Sequence, residues 1–519
     1  MTPSLCPAIG GAGGGTGGNE IGVVAAECSW ADAAGEPRPI RPVTIARTGP
    51  ISPQLRYVNN EVEGLPLTQG PLQSYTNWDP PLPGEEVQMD SYARVVAVRS
   101  TTLVLFSCLA MGACGGGNVP AAEEGAWVGD VSVDGRITTV VNEAGSVWGG
   151  PATLVEKMSI GVETGSPEYM LGSLGGLWAT DDEIYVIDSQ LPALRVYDYE
   201  GRHLRDIGRR GQGPGEFMQP RGVFVDGSGR IYVNEFSGNA RVNVYAADGE
   251  YINTWTDGDT GRLFSGLMMG QDGTFFASVT IRIDPMDPDT WERGMQQVGA
   301  EGAIGEMIPR PVLDVDRLEM HVTREGFTFD YVVPYSPGQV SAFSPTGAWI
   351  TGVNDAYHFE IHHPGGEITR VERYWDPVPI EGDEAAYRKR WTTASIRRNS
   401  PNFEWNGPEI PDHKPAYYMF VPTNGDMVMV VRELASYRVE DCDELYADRG
   451  SSTELCYQPN RSWDMFDLEG NYLGGVKRPE GRLFQPYFRG NLLLLHVEDE
   501  LGTIMVKRFE LTPPSAGSQ

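Results

Sequence analysis

The stretch EIYVIDSQLPALRVYDYEGRHLRDIG, Glu183–Gly208, returns in outline as RIYVNEFSGNARVNVYAADGEYINTW, Arg230–Trp255, with the Ile-Tyr-Val runs 47 residues apart. A repeat of this length means that one supersecondary unit is copied and that each copy buries its apolar surface against the next. Within each copy, short β-branched and aromatic runs alternate with Asp-Ser, Gly-Asn and Asp-Gly turn signals, the pattern of a four-stranded antiparallel meander. The connector is repeated too. SIGVETGSPEY (Ser159–Tyr169) and DIGRRGQGPGEF (Asp206–Phe217) set Ile160 and Ile207 the same 47 residues apart. Here the chain must leave an outer strand and return to the innermost strand of the next sheet, a path for which glycines supply positive backbone angles. Phe217 is placed to plug the seam between the two sheets.

The Gly-rich GPGEF element, the proline at the next inner strand, and the I-Y-V and R-V-x-V-Y strands resemble the NHL-repeat family of six-bladed β-propellers. The resemblance is strong over about Gly172–Arg262. Phe264–Thr280, Gln339–Arg373, Tyr417–Leu473 and Arg482–Leu511 each keep a turn or strand of it, which brings the count to six sheets and the expected fold class to all-β. The last sheet is one strand short at Leu511. Ala152–Gly161 (ATLVEKMSIG) ends like an outer strand, so an N-terminal strand is expected to complete that blade and close the ring, removing exposed edges. One segment departs from the repeat: Glu381–Arg398 carries Tyr387, Trp391 and Ala394 at helical spacing and reads as a short amphipathic helix, leading into a loop. It is either a lid or partner-binding flap, or a cover for the propeller rim.

Ahead of the repeats lies a different kind of sequence. Residues 1–88 are rich in glycine and proline and show no periodicity, which suits a disordered leader or a stretch upstream of the true start. From Met89 the chain carries Arg94 and Arg99 and then runs uncharged from Ser100 to Ala113, the layout of a secretory signal peptide and too short for a membrane span; an internal apolar helix is the alternative. MGAC then resembles a bacterial lipobox, with Cys114 as the lipidated residue. The expected organisation is a leader (1–88), a lipoprotein signal (89–113), a flexible linker (114–131), the propeller (132–511, with a helix-loop insertion over 381–411) and a disordered tail (512–519). Cys442 and Cys456, 14 residues apart, would be the thiols left in the folded part, a natural disulfide in an oxidising compartment. Residues 114–519 carry 34 basic against 61 acidic side chains, a balance that repels phosphate backbones and excludes nucleic acid as a partner. These features imply an exported monomer of the outer membrane or cell envelope, facing the periplasm or the surface and touching the membrane through its acyl group only.

Chemistry is sparse. The sequence has no phosphate-binding G-x-x-x-x-G-K, no H-E-x-x-H and no G-x-S-x-G. His358, Glu360 and His362 alternate onto one face of a strand, as two-histidine metal sites can, although the segment aligns with a third strand away from the channel. Asp284, Asp287 and Asp289 could bind calcium but lack the glycine and terminal glutamate of an ordered calcium loop. No cofactor is therefore expected, with calcium or zinc as the alternatives. Aligning the inner strands on their following turns puts Gly175, Arg221, Ser265, Gln339, Tyr417 and Arg482 at equivalent places at one channel mouth. Arg221 and Arg482 would make it locally positive, for an anionic ligand or an acidic side chain of a partner, or else pair with acidic residues of neighbouring blades. Two functions remain: a lipid-anchored module binding a protein, peptide or glycan, and a metal-dependent lyase or lactonase working in the channel. Fold alone does not choose between them.

Overall fold

A computed structural model describes residues 125–235, 241–256, 266–282, 290–299, 302–324, 326–440, 442, 455–479, 482–499 and 501–514. Met89, Cys114, Ser265 and the loop with Asp284, Asp287 and Asp289 lie outside them, and the Arg482 side chain is not described.

The chain forms a six-bladed β-propeller of four-stranded antiparallel sheets with a single α-helix among the described residues. Blade I runs Leu174–Ala179, Glu183–Asp188, Ala193–Asp198, His203–Ile207 from the inner strand outward. Blades II to V repeat that order, their inner strands being Pro220–Val225, Leu267–Met269, Gln339–Phe343 and Met419–Pro422. Blade VI takes Arg482–Arg489, Leu492–Glu498 and Ile504–Thr512 from the C-terminal end of the chain, and its outer strand, Thr153–Ile160, from before blade I. That strand lies antiparallel to Ile504–Thr512, with Ile160 opposite Val506 and Thr153 opposite Thr512. The ring is thus closed by main-chain hydrogen bonds joining the two ends of the repeat array.

The core is not central; it is divided among the seams. Each blade packs face to face with the next, so its middle strands are covered on both sides. For this reason Ile184–Asp188 and Ile231–Glu235 are buried without alternation. Six separate clusters fill the six seams. Tyr185, Ile187, Phe217 and Tyr245 belong to seam I–II, and Phe224, Trp255 and Phe275 to II–III. Ile350, Phe359, Tyr417 and Phe466 fill IV–V, Met465, Trp463 and Leu493 fill V–VI, and Ile160, Leu177 and Val506 fill VI–I. Seam III–IV is the thinnest, with Phe276 and Met295 against Phe343 and Trp349. Phe217 is 0% exposed in its seam, as its place in the connector implies. Gly208, at φ 70°, turns the chain beneath it, and a Cβ there would run into the Phe217 ring.

A second repeated device was not read from the sequence. The last residue of the second strand, Asp188 in blade I and Glu235 in blade II, is fully buried and accepts hydrogen bonds from the backbone leading into its own blade. Asp188 takes Gly172 N and Ser173 N at 3.2 and 3.3 Å, Glu235 takes Met218 N and Gln219 N at 2.5 and 3.2 Å, and in blade IV Asn354 takes Gly338 N at 2.8 Å. The first two are 47 residues apart, so the signal was present in IYVID and IYVNE. A buried carboxylate supplied with N–H donors satisfies backbone groups that the connector would otherwise leave unpaired.

Three features extend the propeller on blades IV and V. Val128–Asp134 and Ile137–Ala144 form a hairpin that joins the outer edge of blade IV, Ile137–Ala144 running parallel to Ile368–Arg373, so that sheet has six strands. The segment expected to be a linker therefore ends as a strand from Val128. A second hairpin, Glu319–Arg324 with Phe327–Val332, packs Met320 and Val322 against Ile396 and Phe403 of the insertion. The helix itself spans Gly382–Arg397. Cys442 and Cys456 form the disulfide, with Cα atoms 5.5 Å apart. Cys456 is 0% exposed, because Tyr387 and Trp391 of the helix cover it.

Candidate functional site

The inner strands all run in one direction along the channel, so their ends define two mouths. At the C-terminal ends, the turns into the second strands converge on a funnel of about 1380 Å³ to which every blade contributes: Trp178–Glu183, Val225–Gly229, Met269–Gly273, Pro345, Asn424, and Tyr487 with Arg489. Each turn folds locally on its own polar residue. Asp226 accepts from Ser228 N at 2.8 Å, Arg230 N at 3.0 Å and the Tyr232 hydroxyl at 2.8 Å; Asp272 accepts from Thr274 N at 2.9 Å. Such Asx-type turns fix the rim without help from a ligand.

The funnel's arginines are paired internally. Arg205 forks onto Glu183, its Nη2 2.9 Å from Oε2, and the Tyr185 hydroxyl donates to the same carboxylate at 2.6 Å. The Arg205 hydrogen bond, aided by that of Tyr185, holds the Glu183 carboxyl below its ordinary range, while burial together with Glu183 pushes the Tyr185 phenol up. Arg489 Nη2 lies 2.8 Å from Asp181 Oδ1. Lower in the wall, the Trp178 and Tyr487 rings meet at 5.2 Å between centroids, and Phe224 meets Trp178 edge-on at 5.5 Å. Burial pushes the Tyr487 phenol up to about 12; its hydroxyl donates to the Ala179 carbonyl at 3.2 Å.

The residues read from sequence as a positive mouth are at the other end of the inner strands. Arg221 is exposed there, and Arg482 occupies the first position of its strand. Gln339 is consumed by structure: its amide donates to the Pro311 carbonyl at 2.7 Å and to Thr351 Oγ1 at 2.9 Å, and its oxygen accepts Leu313 N. Tyr417 is corrected from a mouth residue to a core one. It is 0% exposed in seam IV–V and donates to the His358 carbonyl at 2.8 Å. Alignment by repeat position could not see this, because a bulky aromatic just ahead of an inner strand is drawn into the seam by the apolar area it buries. Gly175 is set where two inner strands approach, a Cβ there lying 2.5 Å from the Pro220 carbonyl.

His358–His362 is indeed the third strand of its blade. Glu360 is bound between His362 Nε2, at 3.0 Å, and Arg370 Nη2, at 2.9 Å, and the His362 hydrogen bond first, with Arg370, holds its carboxyl at about 2. His358 opens instead onto a second depression, of about 840 Å³, on the face opposite the funnel, with Asp314, Tyr335, Asp355 and His413. No three His, Cys, Asp or Glu side chains are grouped as metal ligands among the described residues.

Beside that depression the inserted helix is latched by a buried carboxylate. Glu384 accepts from the Tyr335 hydroxyl at 2.6 Å and Ser436 Oγ at 2.7 Å, with Lys414 Nζ 3.5 Å away and 0% exposed. Tyr335 holds this place at φ 64°, a left-handed angle that a tyrosine adopts only when its surroundings compel it. These bonds anchor the helix to Tyr335 and to Ser436 in the second strand of blade V.

Residues 160–266 match the family model DUF5128, described as a six-bladed beta-propeller. The matched stretch spans blades I and II, where the repeat is clearest. Among solved structures, a member of the DUF4221 family from Bacteroides vulgatus is 11% identical and covers 70% of this chain and 99% of its own, with a TM-score of 0.41. A protein from Bacteroides fragilis designated as exported is 12% identical over 69% of this chain and 95% of its own, with a TM-score of 0.38. Virginiamycin B lyase from Staphylococcus aureus is 8% identical over 69% and 99%, with a TM-score of 0.34. No curated protein matches the chain. Among the described residues, no helix is long and apolar enough to cross a membrane.

Proposed function

We propose that this protein is an exported binding module, tethered to the cell envelope through Cys114, whose protein, peptide or glycan ligand seats in the funnel. The observation that supports this reading is the funnel's construction: all six blades line it, and its arginines are already neutralised within the wall, by Glu183 and by Asp181. A preformed concave surface with fixed polar groups and an aromatic floor suits recognition, since little has to be ordered when a ligand arrives.

Gly227 provides the test. It stands on the rim, and a Cβ added there meets nothing within 4 Å, so Gly227→Trp sets a bulky ring at the funnel's edge without a clash at its Cβ. Residues 114–519, in both forms, are to be screened by calorimetry against libraries of short peptides and oligosaccharides. Ligands of the wild-type domain should lose their affinity for the Gly227→Trp form. If every ligand found binds both forms equally, the funnel is not the binding site.

A further inference from the structure

We infer that the ligand class of the funnel is an uncharged, hydroxyl-rich saccharide, an inference that rests on the binding-module reading above. The first ground is the aromatic floor. Trp178 and Tyr487 come from the inner strands of blades I and VI, the two blades that meet where the ring is closed, and both rings are half-buried in the funnel wall. Phe224 meets the indole edge-on and is itself backed by Phe275, their rings 5.7 Å apart. The C–H face of a pyranose ring is apolar and flat enough to lie on such a surface, whereas its rim presents hydroxyls. The Trp178 indole N–H keeps solvent access and has no hydrogen-bond partner among the described residues, which leaves a donor beside the platform.

The second ground is the state of the charges around that floor. Arg205 is engaged by Glu183 and by the Ala247 carbonyl at 3.0 Å, and Arg489 by Asp181. Asp226, Asp248 and Asp272 cap their own turns. An anionic ligand would have to compete for arginines already paired and would face the surplus of carboxylates; a cationic one would be drawn by that surplus, and the cationic comparator below decides against or for it. A hydroxyl needs no unpaired charge. It donates to lone pairs that the capped carboxylates retain, and it accepts from the indole and from amides such as Gln271 and Asn424 on the same rim.

The test measures binding of cellohexaose, maltohexaose and N-acetylated chitohexaose to residues 114–519 by calorimetry, with the deacetylated, cationic chitohexamer and an anionic oligogalacturonate as comparators. At least one neutral oligomer should bind, with affinity falling about tenfold or more in Trp178→Ala, partly retained in Trp178→Phe, and lost in Gly227→Trp. The phenylalanine form keeps an aromatic face while removing the N–H, so it separates loss of stacking from loss of the donor. Absence of binding by all three neutral oligomers at millimolar concentration, tighter binding of a charged comparator, or indifference to Trp178→Ala in a folded protein overturns the inference. If saccharides fail while peptides bind in a way that Gly227→Trp abolishes, the saccharide class alone falls. If no ligand responds to Gly227→Trp, the binding-module reading falls with it.

Discussion

The seam between blades I and II offers a double-mutant test of how the connector specifies the fold. Phe217 is fully buried among Tyr185, Val196, Val223 and Tyr245, and truncation to alanine removes a whole ring from a seam that cannot collapse without moving two sheets. Phe217→Ala should therefore cost about 3–5 kcal/mol. Gly208→Ala acts through two separate causes. The left-handed backbone at φ 70° costs an alanine about 1–2 kcal/mol. The new methyl also meets the Phe217 ring, an overpacking cost of about 1–3 kcal/mol. Only the second cause depends on Phe217. In the double mutant the ring is gone and the methyl has room, so the combined loss should be smaller than the sum of the single losses by about 1–3 kcal/mol. Equilibrium urea unfolding of residues 114–519, comparing midpoints at unchanged slope, reads this directly. If the two losses add to within about 0.5 kcal/mol, the glycine is required by backbone angle alone and the contact argument is wrong.

Other outcomes follow from the same structure. Replacing both Cys442 and Cys456 by alanine should destabilise the protein by about 3 kcal/mol for a loop of this size, and hydrogen exchange should quicken in Gly382–Arg397, which packs on the bond, before it does in blade I. Glu360 has a folded pKa of about 2, below the value of about 4.3 expected when unfolded, so its stabilising effect is present above about pH 4 and is lost as pH falls toward 2. The stability difference between wild type and Glu360→Gln should accordingly shrink between pH 5 and pH 2; a constant difference would show that the ion pairs with His362 and Arg370 carry no net energy. Cys114→Ala should move the protein from the membrane to the soluble fraction of the producing cell, and mass spectrometry of the native protein should yield no peptide from residues 1–88.

The fold was legible because two of the six units keep a strict repeat. A period of 47 residues with its glycine connector leaves few architectures, and the missing strand at Leu511 pointed to Thr153–Ile160 as its substitute. Blades III to VI each keep only a turn or a strand of the repeat, such as the Asp-Gly at 272–273 and the Asn-Gly at 424–425. What could not be read has a common cause: it depends on contacts between segments distant in sequence. The hairpin of Val128–Ala144 is locally a plausible pair of strands, but its union with blade IV rests on parallel pairing with residues 368–373. The mouth was placed by repeat position, which predicts where a backbone lies but not whether its side chain turns to the channel or to the seam; Tyr417 went to the seam. The funnel at the opposite end drew on turns whose aspartates looked like ordinary turn residues, and singly they are. Only closure of the ring brings the ends of all six inner strands, three with aspartate turns, around Trp178 and Tyr487.

A crystal structure of residues 114–519 soaked with whichever neutral hexasaccharide binds most tightly tests the central claim most directly. The account predicts a sugar ring against Trp178 and Tyr487, hydroxyls within hydrogen-bond distance of the turns at Asp182 and Asp272, and undisturbed Arg205–Glu183 and Arg489–Asp181 pairs. Sugar density in the depression beside His358 and His413, or at the Arg221 mouth, with the funnel holding only water, would contradict it.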